Sequence, residues 1–218
     1  MMVSRSVVTR LLHLLLLLAV VHQLLNSQFI RRPHPGDPPS LLWNMHQYVG
    51  VTALVVVSAF WLWTLVRRRE TPLGALVPWF WGQRLRALAA DAAGYVRGIM
   101  AGRLIDERDS ALAEAVHGLG LLVVSLMAAT GTIWLLAASG TPYGRVALNI
   151  HKLFASLMWA YLAAHAGLAL LHHLLGSDIF SRMFLSRRVV AKVVKTPLAA
   201  ALPPAYVPAV PVAASRRE

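Results

Sequence analysis

The sequence contains no cysteine, which excludes disulfides, thiolate metal sites, iron–sulfur clusters and haem attached through thioether bonds. Any cofactor must therefore be held without a covalent link to sulfur. Charge is also scarce, because only 14% of the 218 residues are charged while 57% are hydrophobic. A soluble domain of this length needs more polar surface than that. The composition therefore predicts an integral membrane protein.

Four apolar segments account for most of this hydrophobicity. They run over about 11–30, 41–66, 115–138 and 146–175. Each approaches the ~20 residues that cross a ~30 Å hydrocarbon core as a helix. Because backbone polar groups inside lipid must be satisfied within the segment, all four are predicted to be helical. The predicted fold is an all-α membrane protein, a bundle of four transmembrane helices.

The first segment also has features of a signal peptide, since Arg5 and Arg10 precede an apolar run. No A-x-A cleavage site follows, and His13, His22 and Asn26 interrupt the run. We therefore expect a retained helix.

Acidic residues are few, 9 against 21 Lys and Arg, which gives a formal net charge of +12. Eight arginines lie in the long connection 67–114, and further basic residues lie in both terminal tails. The positive-inside rule then predicts that both termini and this loop are cytoplasmic. The charge is explained by this asymmetry and by anionic membrane lipid, so nucleic acid is not expected as a partner.

The cytoplasmic loop contains a second helical pattern. Between residues 78 and 104 one side of a helix would be apolar, formed by Leu85, Leu88, Ala92, Tyr95, Val96, Ile99 and Met100. This pattern predicts an amphipathic helix on the membrane surface between helices 2 and 3, and a docking face for a partner is the alternative. Residues 186–218 are basic and then rich in Ala and Pro, which predicts a disordered tail after one domain over 1–185.

Histidines inside the apolar spans are the main chemical signal, because a titratable group in hydrocarbon is costly and normally faces the bundle interior. His151 and His165 are 14 residues apart, so they lie within about 40° of one helix face and about 21 Å apart along it. With the predicted orientation, His46 is level with His151 near the outer side, and His13 is level with His165 near the cytoplasm. The sequence thus predicts two His–His pairs at two depths.

Two facing imidazoles suit a haem, whose low-spin iron accepts two axial histidines and whose flat ring fits between helices. A zinc or copper site would instead gather three or four ligands at one depth. A proton relay would require Asp or Glu inside the spans, where there is almost none.

Further histidines lie in the predicted spans, among them His172, His22 and His117. By geometry alone His172 could replace His165, since it follows seven residues later on nearly the same face. His22 lies opposite His13 on helix one and is expected to hydrogen-bond within the bundle. His117 is expected at the cytoplasmic interface or beside a haem carboxylate.

Together these features resemble the bacterial cytochrome b561 family, whose wider group includes the cytochrome b subunits of hydrogenases and formate dehydrogenases. The resemblance is strongest over residues 151–184 (HKLFASLMWAYLAAHAGLALLHHLLGSDIFSRMF). It extends to NMHQYVG (44–50), RLLHLLLLL (10–18) and VHGLGLL (116–122). It implies two non-covalent haem b groups, and it favours His165 over His172. The implied axial ligands to the haem iron are His13, His46, His151 and His165. It also makes His172 a candidate quinone contact.

The resemblance further implies a role in the respiratory chain of the bacterial inner membrane. The chain would exchange single electrons between a donor and ubiquinone or menaquinone, as an electron carrier or as the membrane subunit of a redox complex. Its donor would be a partner subunit or a c-type cytochrome. A superoxide:ubiquinone oxidoreductase is the alternative, although the outer loop 139–149 is short for that branch. A haem-free structural or transport bundle is disfavoured, because His151 and His165 keep their helical phase.

Overall fold

A computed structural model describes residues 5–33, 37–67, 71–101, 110–137 and 141–174. Within these ranges the chain is helical and contains no strand. The helices are α1 (Val7–Asn26), α2 (Leu41–Val66), α3 (Leu73–Leu76), α4 (Gly82–Met100), α5 (Ala111–Leu136) and α6 (Pro142–Leu174), with a 3₁₀ turn at Pro78–Phe80. The predicted tail 186–218 lies outside the described residues.

Among the described helices, four are long and apolar enough to cross a membrane: α1, α2, α5 and α6. The predicted all-α, multi-pass membrane architecture is therefore confirmed. Three of these helices begin four residues before the apolar run that predicted them. Ser6 and Ser110 explain two of these starts, because their side chains accept hydrogen bonds from the amides of Thr9 (3.2 Å) and Ala113 (3.0 Å). In α6 the first helical residue is Pro142, whose missing N–H is not needed there.

The four long helices pack in the order α1, α2, α5, α6, with contacts between each neighbouring pair. At the centre of the bundle lie Val57 and Met158, which are 1% and 2% exposed. Leu16, Leu121 and Val124 surround them in the same apolar cluster.

The segment after α2 returns to the bundle. Ala75, Leu76 and Pro78 are buried, and α3 packs against α5. The carbonyl of Leu76 lies directly over Gly118, where a Cβ would overlap it. Just before α3, the buried Thr71 accepts a hydrogen bond at its Oγ1 from Arg5 Nη1, at 2.5 Å. This return was not predicted.

The helix predicted inside the long loop is present as α4. Its half-buried residues include Leu88, Ala92 and Tyr95, and the helix packs against α5. Asp91 Oδ2 accepts a 2.6 Å hydrogen bond from the amide of Ala111, which caps the start of α5. Leu85, Val96 and Met100 of the predicted apolar face are exposed, and the amphipathic membrane-surface role of α4 stays a prediction.

Candidate cofactor sites in the helix bundle

The first candidate site, called the outer site, is formed by His46 of α2 and His151 of α6. Their ring centroids are 6.2 Å apart and their planes are nearly perpendicular, at 83°. A metal–imidazole bond is about 2 Å long, so two rings on opposite sides of one ion have centroids roughly 6 Å apart. The structure thus brings together the two histidines that were predicted to be level, at a separation that suits one metal ion between them.

The ring of His151 is held by α5. Its Nδ1 lies 2.9 Å from the carbonyl oxygen of Met127. Because a carbonyl only accepts, Nδ1 carries the proton and Nε2 keeps the lone pair that a metal needs. A Cβ on Gly131 would lie 3.2 Å from Cε1 and 3.3 Å from Nδ1 of the same ring. Glycine at this position therefore lets the imidazole approach the backbone of α5 closely.

A cavity of about 460 Å³ contains both outer histidines. This volume lies within the range of small-molecule and cofactor sites. Its walls are mostly apolar and come from all four long helices. The lining includes Leu24, Ala53, Val124, Met127, Ala128 and Met158.

Two cations line this cavity, Arg32 and Lys152. The Arg32 guanidinium lies 5.6 Å from the ring centroid of Trp134, which in turn packs edge-on against Trp43 at 5.7 Å. A largely apolar lining with two cations suits haem b, which has a flat apolar ring and two carboxylates.

Several buried polar atoms around the outer site lack a hydrogen-bond partner among the described residues: His22 Nε2, Gln23 Oε1 and His46 Nδ1. Buried polar groups are normally paired, so this clustering is typical of a binding site. The hydrogen bond expected for His22 is not found at its Nε2. Gln23 is fixed through its other end, since Nε2 donates to the carbonyl of His46 at 2.8 Å.

The second candidate site, called the inner site, contains His13 of α1, His117 of α5 and His165 of α6. His13 lies within electrostatic range of His165, and no ring contact between the two is found among the described residues, so their pairing stays a prediction. His117 packs edge-on against His165, with ring centroids 5.2 Å apart at 83°. The Nδ1 of His117 donates to the carbonyl of Ala113 at 2.6 Å. Among the described residues, no group of three or more side chains has the geometry to hold a metal ion without a larger cofactor.

Two features of the inner site were missed by the sequence analysis. His117 was expected at the cytoplasmic interface or beside a haem carboxylate, and its contact with the ring of His165 was not foreseen. Tyr161 was not considered, yet it stacks on His165 with 5.4 Å between centroids and 9° between planes. The only sequence signal for Tyr161 is its position four residues before His165, which puts both on one helix face.

The candidate quinone contact, His172, is 5% exposed. Its Nε2 lies 3.4 Å from the hydroxyl of Tyr95 on α4. Seven residues beyond His165, it is about 10 Å further along α6. His165 is thus level with His117, whose ring it contacts, and His172 is level with Tyr95 of α4.

Comparison with family models finds a match over residues 4–186 to the model of the prokaryotic cytochrome b561. No curated protein and no solved structure matches the chain.

Proposed function

We propose that this chain, which belongs to the prokaryotic cytochrome b561 family, binds two haem b groups and passes electrons between them across the membrane. Family membership and the four spanning helices make it a membrane haem b electron-transfer protein. The number of haems, their ligands and their redox partners are the proposal. The observation that supports it best is the outer pair, His46 and His151, facing each other at 6.2 Å in a largely apolar cavity.

The four ligands divide by depth. His46 and His151 would hold the outer haem, and His13 and His165 the inner one. When bound, haem b supplies an iron that takes up and releases one electron. The protein orients the imidazoles, excludes water with its apolar walls, and offers Arg32 and Lys152 to the carboxylates of the outer group. Because His151 and His165 are about 21 Å apart along α6, two centres at these depths span most of the hydrocarbon core.

Quinone exchange is proposed at the inner end, where His172 and Tyr95 meet. A buried imidazole beside a phenol can donate and accept protons, as a quinone requires when it is reduced or oxidised. In this proposal α4 is an amphipathic helix at the cytoplasmic surface of the bacterial inner membrane, both termini are cytoplasmic, and ubiquinone or menaquinone arrives from the bilayer. The donor would be a partner subunit of a redox complex or a c-type cytochrome.

One observation favours the alternative, superoxide oxidation coupled to ubiquinone reduction. Arg32 and Lys152 line the outer cavity, and cations lining an apolar cleft raise the local concentration of a small anion.

Reduction of the haems by a quinol tests the proposed electron exchange with quinone. The oxidised purified protein is mixed with a short-chain ubiquinol, and haem absorbance is followed in time. We expect both haems to be reduced, and His172→Ala to slow the reaction about a hundredfold, the lower end of the range for an acid–base group. His173→Ala is the matched control, because His173 follows His172 directly in the sequence and its side chain is exposed. If wild-type haem is not reduced by ubiquinol or menaquinol, quinone exchange is wrong.

A further inference from the structure

We propose that Tyr161 is a positioning residue that sets the orientation of the His165 imidazole. The inference depends on the proposed role of His165 as an axial ligand of the inner haem. It concerns how this chain holds that ligand, and it is carried by three contacts of the Tyr161 side chain.

The first contact is the stack between the two rings. At 5.4 Å between centroids and 9° between planes, the phenol and the imidazole are nearly parallel and offset, which is a favoured arrangement of flat rings. His117 approaches the same imidazole edge-on at 5.2 Å. Rotation of the His165 ring would break the parallel contact and collide with the perpendicular one, so the two neighbours together define its plane.

The second and third contacts fix the phenol itself. The Tyr161 hydroxyl donates a hydrogen bond to the carbonyl oxygen of Val116 at 3.2 Å. Gly120, one turn further along α5, leaves the space that the phenol occupies, and a Cβ there would overlap it. Because Tyr161 is tied to the backbone of α5, the ring that stacks on His165 cannot move freely with α6.

The same arrangement, a backbone carbonyl followed four residues later by a glycine, occurs twice on α5. Val116 and Gly120 recur eleven residues later as Met127 and Gly131, which is three turns and within about 20° of the same face. At the outer site this pair of carbonyl and glycine holds the imidazole of His151 directly. At the inner site it holds the phenol of Tyr161 instead. Among the described residues no hydrogen bond to the ring of His165 is found, so stacking takes over the orienting role.

The test uses spectroscopy of the ferric haems, in which the relative orientation of the two axial imidazoles affects the electron paramagnetic resonance signal, together with a redox titration. We expect Tyr161→Leu to retain two haems per chain and to move the inner signal. At a fixed potential the ferric-to-ferrous ratio of the inner haem should change about threefold or more. This change is smaller than the one expected when a group that hydrogen-bonds directly to a metal-binding histidine is removed. Tyr161→Phe keeps the stack and loses only the tether, so it should shift the same signal less.

Tyr143→Leu is the matched control, since this tyrosine lies on the same helix and is 59% exposed. It should leave both haems unchanged. If Tyr161→Leu gives the same inner signal and potential as this control, the inference is overturned. Should Tyr161→Leu fail to assemble, Tyr161→Phe decides the question, and an unshifted inner signal in that variant also overturns it.

A double-mutant cycle isolates the contact with α5. Gly120→Ala should displace the phenol and shift the inner signal in the wild-type background. In the Tyr161→Leu background the same change should have little further effect, because the displaced ring is already absent. Equal effects in both backgrounds would contradict the positioning role. His165→Ala separates this inference from the proposed function: if that variant keeps both haems, the ligand assignment is wrong, whereas loss of the inner haem with silent Tyr161 variants rejects only the inference.

Discussion

The outer and inner sites of this bundle orient a histidine of the same helix in different ways. At the outer site a backbone carbonyl of α5 accepts a hydrogen bond from His151 itself. At the inner site the equivalent carbonyl binds Tyr161, and His165 is oriented by stacking. A hydrogen bond to Nδ1 fixes the tautomer and increases the basicity of the ligand, whereas a stacked ring fixes only the plane. The orientation of His165 should therefore depend more strongly on side-chain packing than the orientation of His151 does.

The surroundings of the sites differ as well. The outer histidines line a cavity that also contains Arg32 and Lys152. At the inner end, α3 packs against α5 beside His117, and Tyr95 of α4 contacts His172. The outer site thus has charged side chains in its lining, while α3 and α4 pack near the inner one.

The largest expected effect comes from removing a ligand. His46→Ala or His151→Ala should abolish the outer haem and retain the inner one, and His13→Ala or His165→Ala should do the reverse, because each substitution removes one of the two imidazoles proposed to hold that haem's iron. Haem content and reduced-minus-oxidised spectra measure this.

The exposed His173 provides the matched control for these substitutions. If His172→Ala removed a haem while His165→Ala did not, the inner pair would be His13 and His172, and our assignment would be wrong.

A smaller effect is expected where α3 covers the inner end. Gly118→Ala places a methyl group on the Leu76 carbonyl, and overpacking of this kind costs about 1–3 kcal/mol. Thermal unfolding in detergent should show the loss, and the inner haem should dissociate first on heating.

Gly94→Ala on α4 is the control for a helical glycine, because a Cβ there meets nothing within 4 Å. It should be neutral or stabilising by up to about 1 kcal/mol. Equal effects of the two substitutions would mean that α3 does not pack as described.

The outer site is tested by Gly131→Ala. The new Cβ would lie 3.2–3.3 Å from the His151 ring, so the ring must shift and weaken its bond to Met127. We expect outer haem affinity to fall about tenfold, as for loss of a hydrogen bond to a metal-binding histidine. Haem transfer to an apo-protein acceptor measures this affinity.

Gly167→Ala is the control on α6, since a Cβ there meets no atom within 4 Å. If Gly131→Ala instead affected the inner haem, the proposed division into two sites would not hold.

The smallest effect is electrostatic. Lys152→Gln removes a cation from the outer cavity, and a nearby positive charge favours the reduced haem. The ferric-to-ferrous ratio of the outer haem at fixed potential should rise about two- to fivefold, as expected for a partly solvated charge, and the effect should shrink in high salt. Redox titration at two ionic strengths measures it. Arg86→Gln, an exposed change on α4, should leave the ratio unchanged.

Much of the fold could be predicted because lipid restricts what an apolar segment can do. The four spans follow from length and hydropathy, and the phase of His151 and His165 follows from helix geometry. Three of the four helix starts were misplaced by four residues, since Ser6, Ser110 and Pro142 determine them and hydropathy does not. The return of α3 into the bundle was missed, because its few buried residues lie in an arginine-rich loop. The contacts of Tyr161 and His117 depend on the register between α5 and α6, which one sequence does not reveal.

The central claim is that each site holds one haem b. A pyridine haemochrome assay on the purified protein, expressed with ample haem, tests this most directly. The account predicts about two b-type haems per chain, with low-spin spectra from two distinct centres. A single haem would mean that one of the two histidine groups has another role, and no haem at all would contradict the account as a whole.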